Sequence, residues 1–371
     1  MMQVAARLSL LLVTLGGCVA ADPVPPVTRA SGEAAVACPP TRSFRFVCDA
    51  AKPEDLVGIP GSPWLVASGF SEGAGLKLID RRDPVARPWF TGAADQVDRD
   101  PQLTDCTTPP DAATFTTRGL SIRAAGPGRA VLHVVAHGQR EAIERFDILY
   151  GSVTAWPRIV WRGCMRLPAD HVGNSVATAP DGTLLVTVLT RPGTTITDFV
   201  RGQTTGIVLE RRPGDQQFRE LPGTALQGNN GIETSLDGRS FYVVSFGTRE
   251  IVAFDRSDTR QPLWRVTAPE FMPDNIRMQG GRLIAAGMVR DEPACGGPRR
   301  IVDGMADGMV CHRGWTVAAL DPATRQFTLV AYGEPDPVFN GVSAAWIADG
   351  QLWLGSYQSD RIAVRAMDGM N

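Results

Sequence analysis

Three asparagines recur along this chain in similar settings. They stand in Gly173-Asn174-Ser175-Val176, Asn229-Asn230-Gly231-Ile232 and Pro273-Asp274-Asn275-Ile276. Their spacings are 230 − 174 = 56 and 275 − 230 = 45 residues, and an acidic pair, Glu54-Asp55, lies upstream. Amides and carboxylates are hard oxygen donors. A ring of them, drawn from successive structural repeats and aimed at one axis, is a calcium site. Buried at such an axis, the same groups would be costly unless something paired them. A single Asn in this setting reads as a solvated turn cap; five donors in register favour an ion.

The elements that must aim them announce themselves as hairpins. Pro180-Asp181-Gly182 precedes Thr183-Leu184-Leu185-Val186, and Leu236-Asp237-Gly238 precedes a run through Phe241-Tyr242-Val243. Gly280-Gly281 and Asp349-Gly350 introduce weaker copies. Asp-Gly between strand-forming runs is a strong hairpin signal. Each copy follows shortly after a candidate inner strand. Several strands repeated at a period of roughly 40 to 60 residues mean a propeller. Residues 40–371 divided by roughly 55 give about six repeats. The expected fold is all-β, a six-bladed β-propeller with a central metal-binding channel. Its inner strands should begin near Glu54, Arg118, Asn174, Asn230, Asp274 and Asn340. No convincing amphipathic helix occurs, and a pair of sandwiches would not explain one similar strand set per period. The stretches 93–113 and 289–314 are expected to be loops covering the channel mouth.

Composition bounds the rest. A formal charge of −2 offers no electrostatic case for nucleic acid, while Gly 39 and Pro 28 suit many short strands joined by turns. Arg7, the apolar run Leu8 to Leu15 and the sequence Leu15-Gly16-Gly17-Cys18 resemble a bacterial lipoprotein signal. That implies a signal peptide over 1–17, an Ala/Pro-rich tether over 18–37 anchored through lipidated Cys18, and the propeller over 38–371. The expected location is the cell envelope, facing the periplasm, with outer-membrane sorting because Val19 rather than Asp follows the Cys. Six further cysteines suggest three disulfides. Six allow 15 connectivities; Cys295 and Cys311 flank a Gly-rich insertion, and Cys38–Cys48 and Cys106–Cys164 would complete the set. The absence of any CxxC pair argues against zinc.

The ordered motifs resemble the calcium-dependent six-bladed propellers of the paraoxonase/arylesterase and gluconolactonase (regucalcin-like) group. Pro53-Glu54-Asp55-Leu56 resembles its first-blade acidic motif. Arg118-Gly119-Leu120-Ser121 with Val134-Val135-Ala136-His137 resembles the second blade of paraoxonases. The three Asn motifs resemble the next three, and Val342-Ser343-Ala344-Ala345 through Gly355-Ser356 the sixth. The resemblance implies a catalytic calcium held by Glu54, Asn174, Asn230, Asp274 and Asn275. It implies a second, structural calcium at Asp55 and a carbonyl near Leu120. The third ligand of that second site is an Asp in paraoxonases and Ser175 here, so this ion lacks a ligand.

A larger departure lies in the second blade. The paraoxonase His implicated as a base is replaced by Arg118, which stays protonated and cannot take a proton. His137 remains at the position of the second His. The gluconolactonase side of the group uses an axial Asp as base, which implies Asp274. Arg118 has two readings: a bidentate partner for a substrate carboxylate or phosphate, or an ion-pair partner of Glu54 or Asp55. The expected activity is calcium-dependent hydrolysis of a small-molecule lactone or aryl ester, with Asp274, His137 and Arg118 as candidate catalytic residues. The alternative is a non-catalytic propeller that binds a ligand or protein, with calcium structural. No Gly-x-Ser-x-Gly elbow supports serine hydrolase chemistry. Arg140, Glu141, Glu144 and Arg145 read as solvated surface pairs, and Trp64, Trp156, Trp161, Trp264, Trp315, Trp346 and Trp353 as packing between blades.

Overall fold

The computed structural model describes residues 38–151 and 155–367. The expected signal peptide, Cys18 and the tether lie outside the described residues. Six four-stranded antiparallel sheets follow one another along the chain. Their inner strands are Leu56–Gly58, Thr116–Ala124, Gly173–Thr178, Asn229–Thr234, Phe271–Gln279 and Val342–Ala348. Each inner strand packs on the next, and the first packs on the sixth, so the ring is closed. The sixth blade takes its outer strand from the other end of the chain: Arg45–Val47 pairs with Ile362–Ala366, with Phe46 opposite Ala363. This is the six-bladed propeller that the repeats predict.

The turns behave as their residues require. Gly182, Gly238 and Gly350 all have φ between 67° and 85°, in the left-handed region that a tight hairpin demands. Between the blades lie apolar seams. One joins Trp89, Phe90, Phe115, Phe146 and Trp161; another contains Phe241 stacked on Phe254 at 5.3 Å. Burying each such side chain contributes about 1.5–3 kcal/mol. Trp161, Trp315 and Trp353 are fully buried, as expected of packing residues. Among the described residues the one α-helix is the short Ile196–Val200, started by a capping box of Thr195 and Asp198.

All three disulfides form as paired from spacing: Cys38–Cys48, Cys106–Cys164 and Cys295–Cys311. The last closes the insertion over 289–314, which carries a small hairpin of Ile301–Val302 and Met305–Ala306. Asn340 Nδ2 donates to the Cys311 carbonyl at 3.3 Å, and Gln358 Nε2 to that of Met309 at 2.9 Å, pinning the insertion to the sixth blade.

Two expectations are corrected. The segment 93–113 does not lie over the channel mouth along its length. Asp98 and Asp100 donate their backbone N–H groups to the carbonyls of Trp161 and Arg162, so it runs along the outer strand of blade 2 (Arg158–Arg166). The Cys106–Cys164 bond fastens it there. Nor are Arg140 and Glu144 a solvated pair. The Glu144 side chain is fully buried, accepting from Arg140 Nε at 2.7 Å and Trp161 Nε1 at 2.6 Å. Strand alternation turns Glu144 inward beneath the 93–113 segment, which the local charge pattern does not reveal.

Candidate metal centre

Five of the six inner hairpins are irregular at one place. Their register slips between Thr117 and Leu120, Gly173 and Val176, Asn229 and Ile232, Pro273 and Ile276, and Val342 and Ala344. The residues inside those slips are Arg118-Gly119, Asn174-Ser175, Asn230-Gly231, Asp274-Asn275 and Ser343. A bulge breaks the ladder and re-aims side chains. Here the bulges coincide with every predicted ligand except Glu54, which precedes the first inner strand. Tight approach at the axis explains the glycines. A Cβ on Gly119 would lie 2.4 Å from Ser175 Cα, and one on Gly231 would lie 2.5 Å from the Asp274 carbonyl oxygen.

Backbone positions around the centre are fixed by hydroxyls. Ser343 Oγ donates to the Glu54 carbonyl at 2.7 Å. Thr187 Oγ1 donates to the Asn230 carbonyl at 2.6 Å and accepts from Ser175 N–H at 3.0 Å.

Glu54, Asn174, Asn230, Asp274 and Asn275 are all buried. Asn275 Nδ2 donates to Glu54 Oε1 at 2.9 Å, joining blade 5 to blade 1 across the axis. The oxygens are a different matter. Glu54 Oε2, Asn174 Oδ1, Asn230 Oδ1 and Asn275 Oδ1 are buried with no hydrogen-bond partner. Leaving a buried acceptor unsatisfied costs about 1–3 kcal/mol. Four such atoms come from four different blades. The donor set is entirely hard oxygen, as alkaline-earth ions prefer, and two carboxylates would balance a divalent charge. The residues fit a metal ion. Among the described residues no group of three His, Cys, Asp or Glu forms a metal cluster; three of these five donors are amides.

Electrostatics agree. Burial pushes the Asp274 carboxyl up to about 7, reinforced by the charge of Asp55 and opposed by a hydrogen bond from Asn230 and by Arg118. Glu54 is raised well above the carboxylate range, first by burial and then by Asp55 and Asp274, while the amide of Asn275 and the charge of Arg118 oppose the rise.

The proposed second ion does not fit. Arg277 Nη2 donates to Asp55 Oδ2 and, at 2.7 Å, to the Leu120 carbonyl. Leu120 N–H also donates to Asp55 Oδ2 at 2.7 Å. A buried guanidinium therefore occupies the place assigned to the structural calcium. It also corrects one reading of Arg118, since Asp55 pairs with Arg277 instead. Arg118 forms no ion pair among the described residues; its guanidinium lies 4.6 Å from the Phe70 ring centroid.

His137 Nδ1 is 2.8 Å from Glu141 Oε1, while its Nε2 is buried without a partner. Sequence reasoning missed Glu141, placing it among surface charges; its i,i+4 spacing from His137 across a turn was the available signal. Asn340, at the sixth position, is no ligand. Its Oδ1 accepts from Arg313 N–H at 3.1 Å and its Nδ2 holds the insertion.

No family model matches the chain, and no curated protein matches it by sequence. Some solved structures are similar to it. A putative gluconolactonase is 14% identical with a TM-score of 0.50, covering 88% of this chain and 93% of that one. A luciferin-regenerating enzyme is 14% identical at TM-score 0.49, over 86% and 93%. The PQQ-bound aldose sugar dehydrogenase of Streptomyces coelicolor is 14% identical at TM-score 0.46, over 88% and 99%.

Proposed function

We propose that this chain is a calcium-dependent hydrolase of lactones or aryl esters. The observation that carries the reading is the set of four partnerless, buried oxygens on Glu54, Asn174, Asn230 and Asn275. Glu54, Asn174, Asn230, Asp274 and Asn275 would hold the ion. When bound, it supplies Lewis-acid polarisation of an ester carbonyl and positive charge for the oxyanion that follows.

The chain's own residues supply the remainder. Asp274, hydrogen-bonded by the Asn230 amide, is the proposed base that takes a proton from the attacking water. His137, held through Nδ1 by Glu141 with Nε2 free, is a second group able to accept a proton beside Arg118. The Asn275–Glu54 contact ties two blades together, so the donors are preorganised. Lipid anchoring through Cys18 would place this activity at the periplasmic face of the bacterial envelope.

Hydrolysis of a panel of lactones and aryl esters by the purified mature chain, with calcium and with chelator, tests the reading. Turnover that disappears with chelator and in Asp274→Asn is expected. Calcium-dependent melting without turnover of any member would instead make the chain a binding propeller.

A further inference from the structure

We propose that Arg118 is the receptor for a carboxylate carried by the substrate, so that the lactone or ester turned over here is an acidic one. This rests on reading the metal centre as hydrolytic.

Arg118, half-buried, differs from the arginines buried elsewhere in the fold. Arg277 donates to Asp55 and the Leu120 carbonyl. Arg313 donates to the Arg290 carbonyl at 2.8 Å, Arg140 to Glu144 at 2.7 Å, and Arg211 to Asp105 at 2.8 Å. Even in the cavity of about 750 Å³ beside Thr178, Arg123 is taken up by the Thr178 carbonyl and Thr234. Arg118 alone of these makes no hydrogen bond among the described residues, and its Nε is buried without a partner. Phe70 holds it by a cation–π contact at 4.6 Å, which fixes the guanidinium while leaving its donors free.

Phe70 also lines the open groove of about 760 Å³ that contains Lys52, His312 and Tyr357. Its ring meets Tyr357 edge-on at 6.3 Å. Phe70 thus joins the Arg118 guanidinium to that groove, and Glu54, Glu141 and Asp274 are the carboxylates whose charges reach Arg118. Tyr357 feels the charges of Asp274 and Asp307 and, opposing them, of Arg299 and Arg313. Of the charged side chains lining the groove, Arg361 pairs with Asp360 and Lys52 stands beside them.

The unbonded donors of Arg118 specify the ligand. Glu54 and Asp274 carry two negative charges, which a divalent ion neutralises. Glu141 also acts on Arg118 through space but makes no ion pair with it, so the half-buried guanidinium keeps its donors unbonded, an arrangement that an anion would complete. One planar carboxylate supplies one negative charge and matches the guanidinium fork. A neutral sugar lactone supplies neither.

The test compares two lactones of the same ring, one neutral aldonolactone and one aldarolactone bearing a free carboxylate. Each is assayed with the calcium-loaded mature chain. The expected wild-type ratio of kcat/KM, acidic over neutral, is about tenfold or more. In Arg118→Met the ratio should collapse toward unity, and in Arg118→Lys, which keeps charge without the fork, it should be intermediate. A wild-type preference for the neutral lactone, or a ratio that survives Arg118→Met, overturns the proposal. If neither lactone is turned over, the hydrolase reading fails separately. Calorimetric titration of the aldarate itself into the calcium-loaded protein then decides. Binding weakened about tenfold or more by Arg118→Met or Arg118→Lys supports the carboxylate receptor; absent binding, or binding equal in all variants, overturns it.

Discussion

Arg277 and Asp55 form a buried ion pair on the propeller axis, joined to both backbone groups of Leu120. Arg277 lies two residues beyond Asn275 on the same strand, just past the register slip between Pro273 and Ile276. One strand of blade 5 thus carries the Asn275 amide, bonded to Glu54, and the Arg277 guanidinium, bonded to Asp55. The guanidinium links blades 1, 2 and 5 in the manner of a structural cation, without the need to capture one.

The stoichiometry should follow. Metal analysis of calcium-saturated, desalted protein is expected to give one tightly held ion per chain; two would contradict the guanidinium's role. Arg277→Met leaves Asp55 buried and unpaired, and should cost about 3–5 kcal/mol in chemical denaturation.

Stability of the metal-free protein should depend on pH in an unusual direction for an acid. Asp274 is raised from 3.8 to about 7, chiefly by burial. A carboxyl whose folded pKa exceeds its unfolded one stabilises fully below the unfolded value and loses that contribution as pH rises toward the folded value. With chelator present, the melting temperature should therefore climb as pH falls from about 7.5 toward about 5. Glu54, also raised, acts in the same direction. Calcium should flatten the dependence by stabilising both charged forms, and Asp274→Asn should reduce it. A chelated protein that loses stability over this interval would show that other groups dominate.

Much of this architecture was legible from sequence because it repeats. The Asp-Gly turns before Thr183 and Arg239 mark hairpins at blade spacing, and Asn174, Asn230 and Asn275 stand out through similar local settings. What was not legible depends on contacts between distant blades. Arg277 looks like an ordinary strand arginine until Asp55, some 277 − 55 = 222 residues away, is placed beside it. Glu144 looks solvated until the 93–113 segment covers it. The bulges were hidden for a similar reason: register is a property of two paired strands, and neither reveals it alone.

Gly231 should not tolerate a side chain at the axis. A Cβ there would stand 2.5 Å from the Asp274 carbonyl oxygen and 2.8 Å from Asn275 Cα, both backbone atoms that cannot swing away. Gly231→Ala should lower stability by about 1–3 kcal/mol through overpacking. It should also weaken calcium binding, because the displaced atoms belong to two ligands. Gly214→Ala makes a useful contrast: nothing lies within 4 Å of its Cβ position, and any cost there comes from its φ of 90°. Calcium affinity equal to wild type in Gly231→Ala would mean that blades 4 and 5 can part without disturbing the centre.

The identity of the base divides on two side chains. His137 is held below its usual pKa, mainly by burial and further by Arg118, with Glu141 opposing. Burial thus favours the neutral ring. Glu141 can only accept when ionised, so Nδ1 carries the proton and Nε2 offers its lone pair. Asp274 is the closer relative of the metal donors and is the expected base. Asp274→Asn retains a side-chain oxygen for the ion, so its metal content should remain measurable while kcat falls about 10²–10⁴-fold. His137→Gln and Glu141→Gln should each change kcat far less. Should the loss fall instead on His137→Gln, with Asp274→Asn retaining turnover, the proton goes to the imidazole, and Asp274 is a ligand alone. Parallel losses in His137→Gln and Glu141→Gln would then identify Glu141 as the residue that positions the ring.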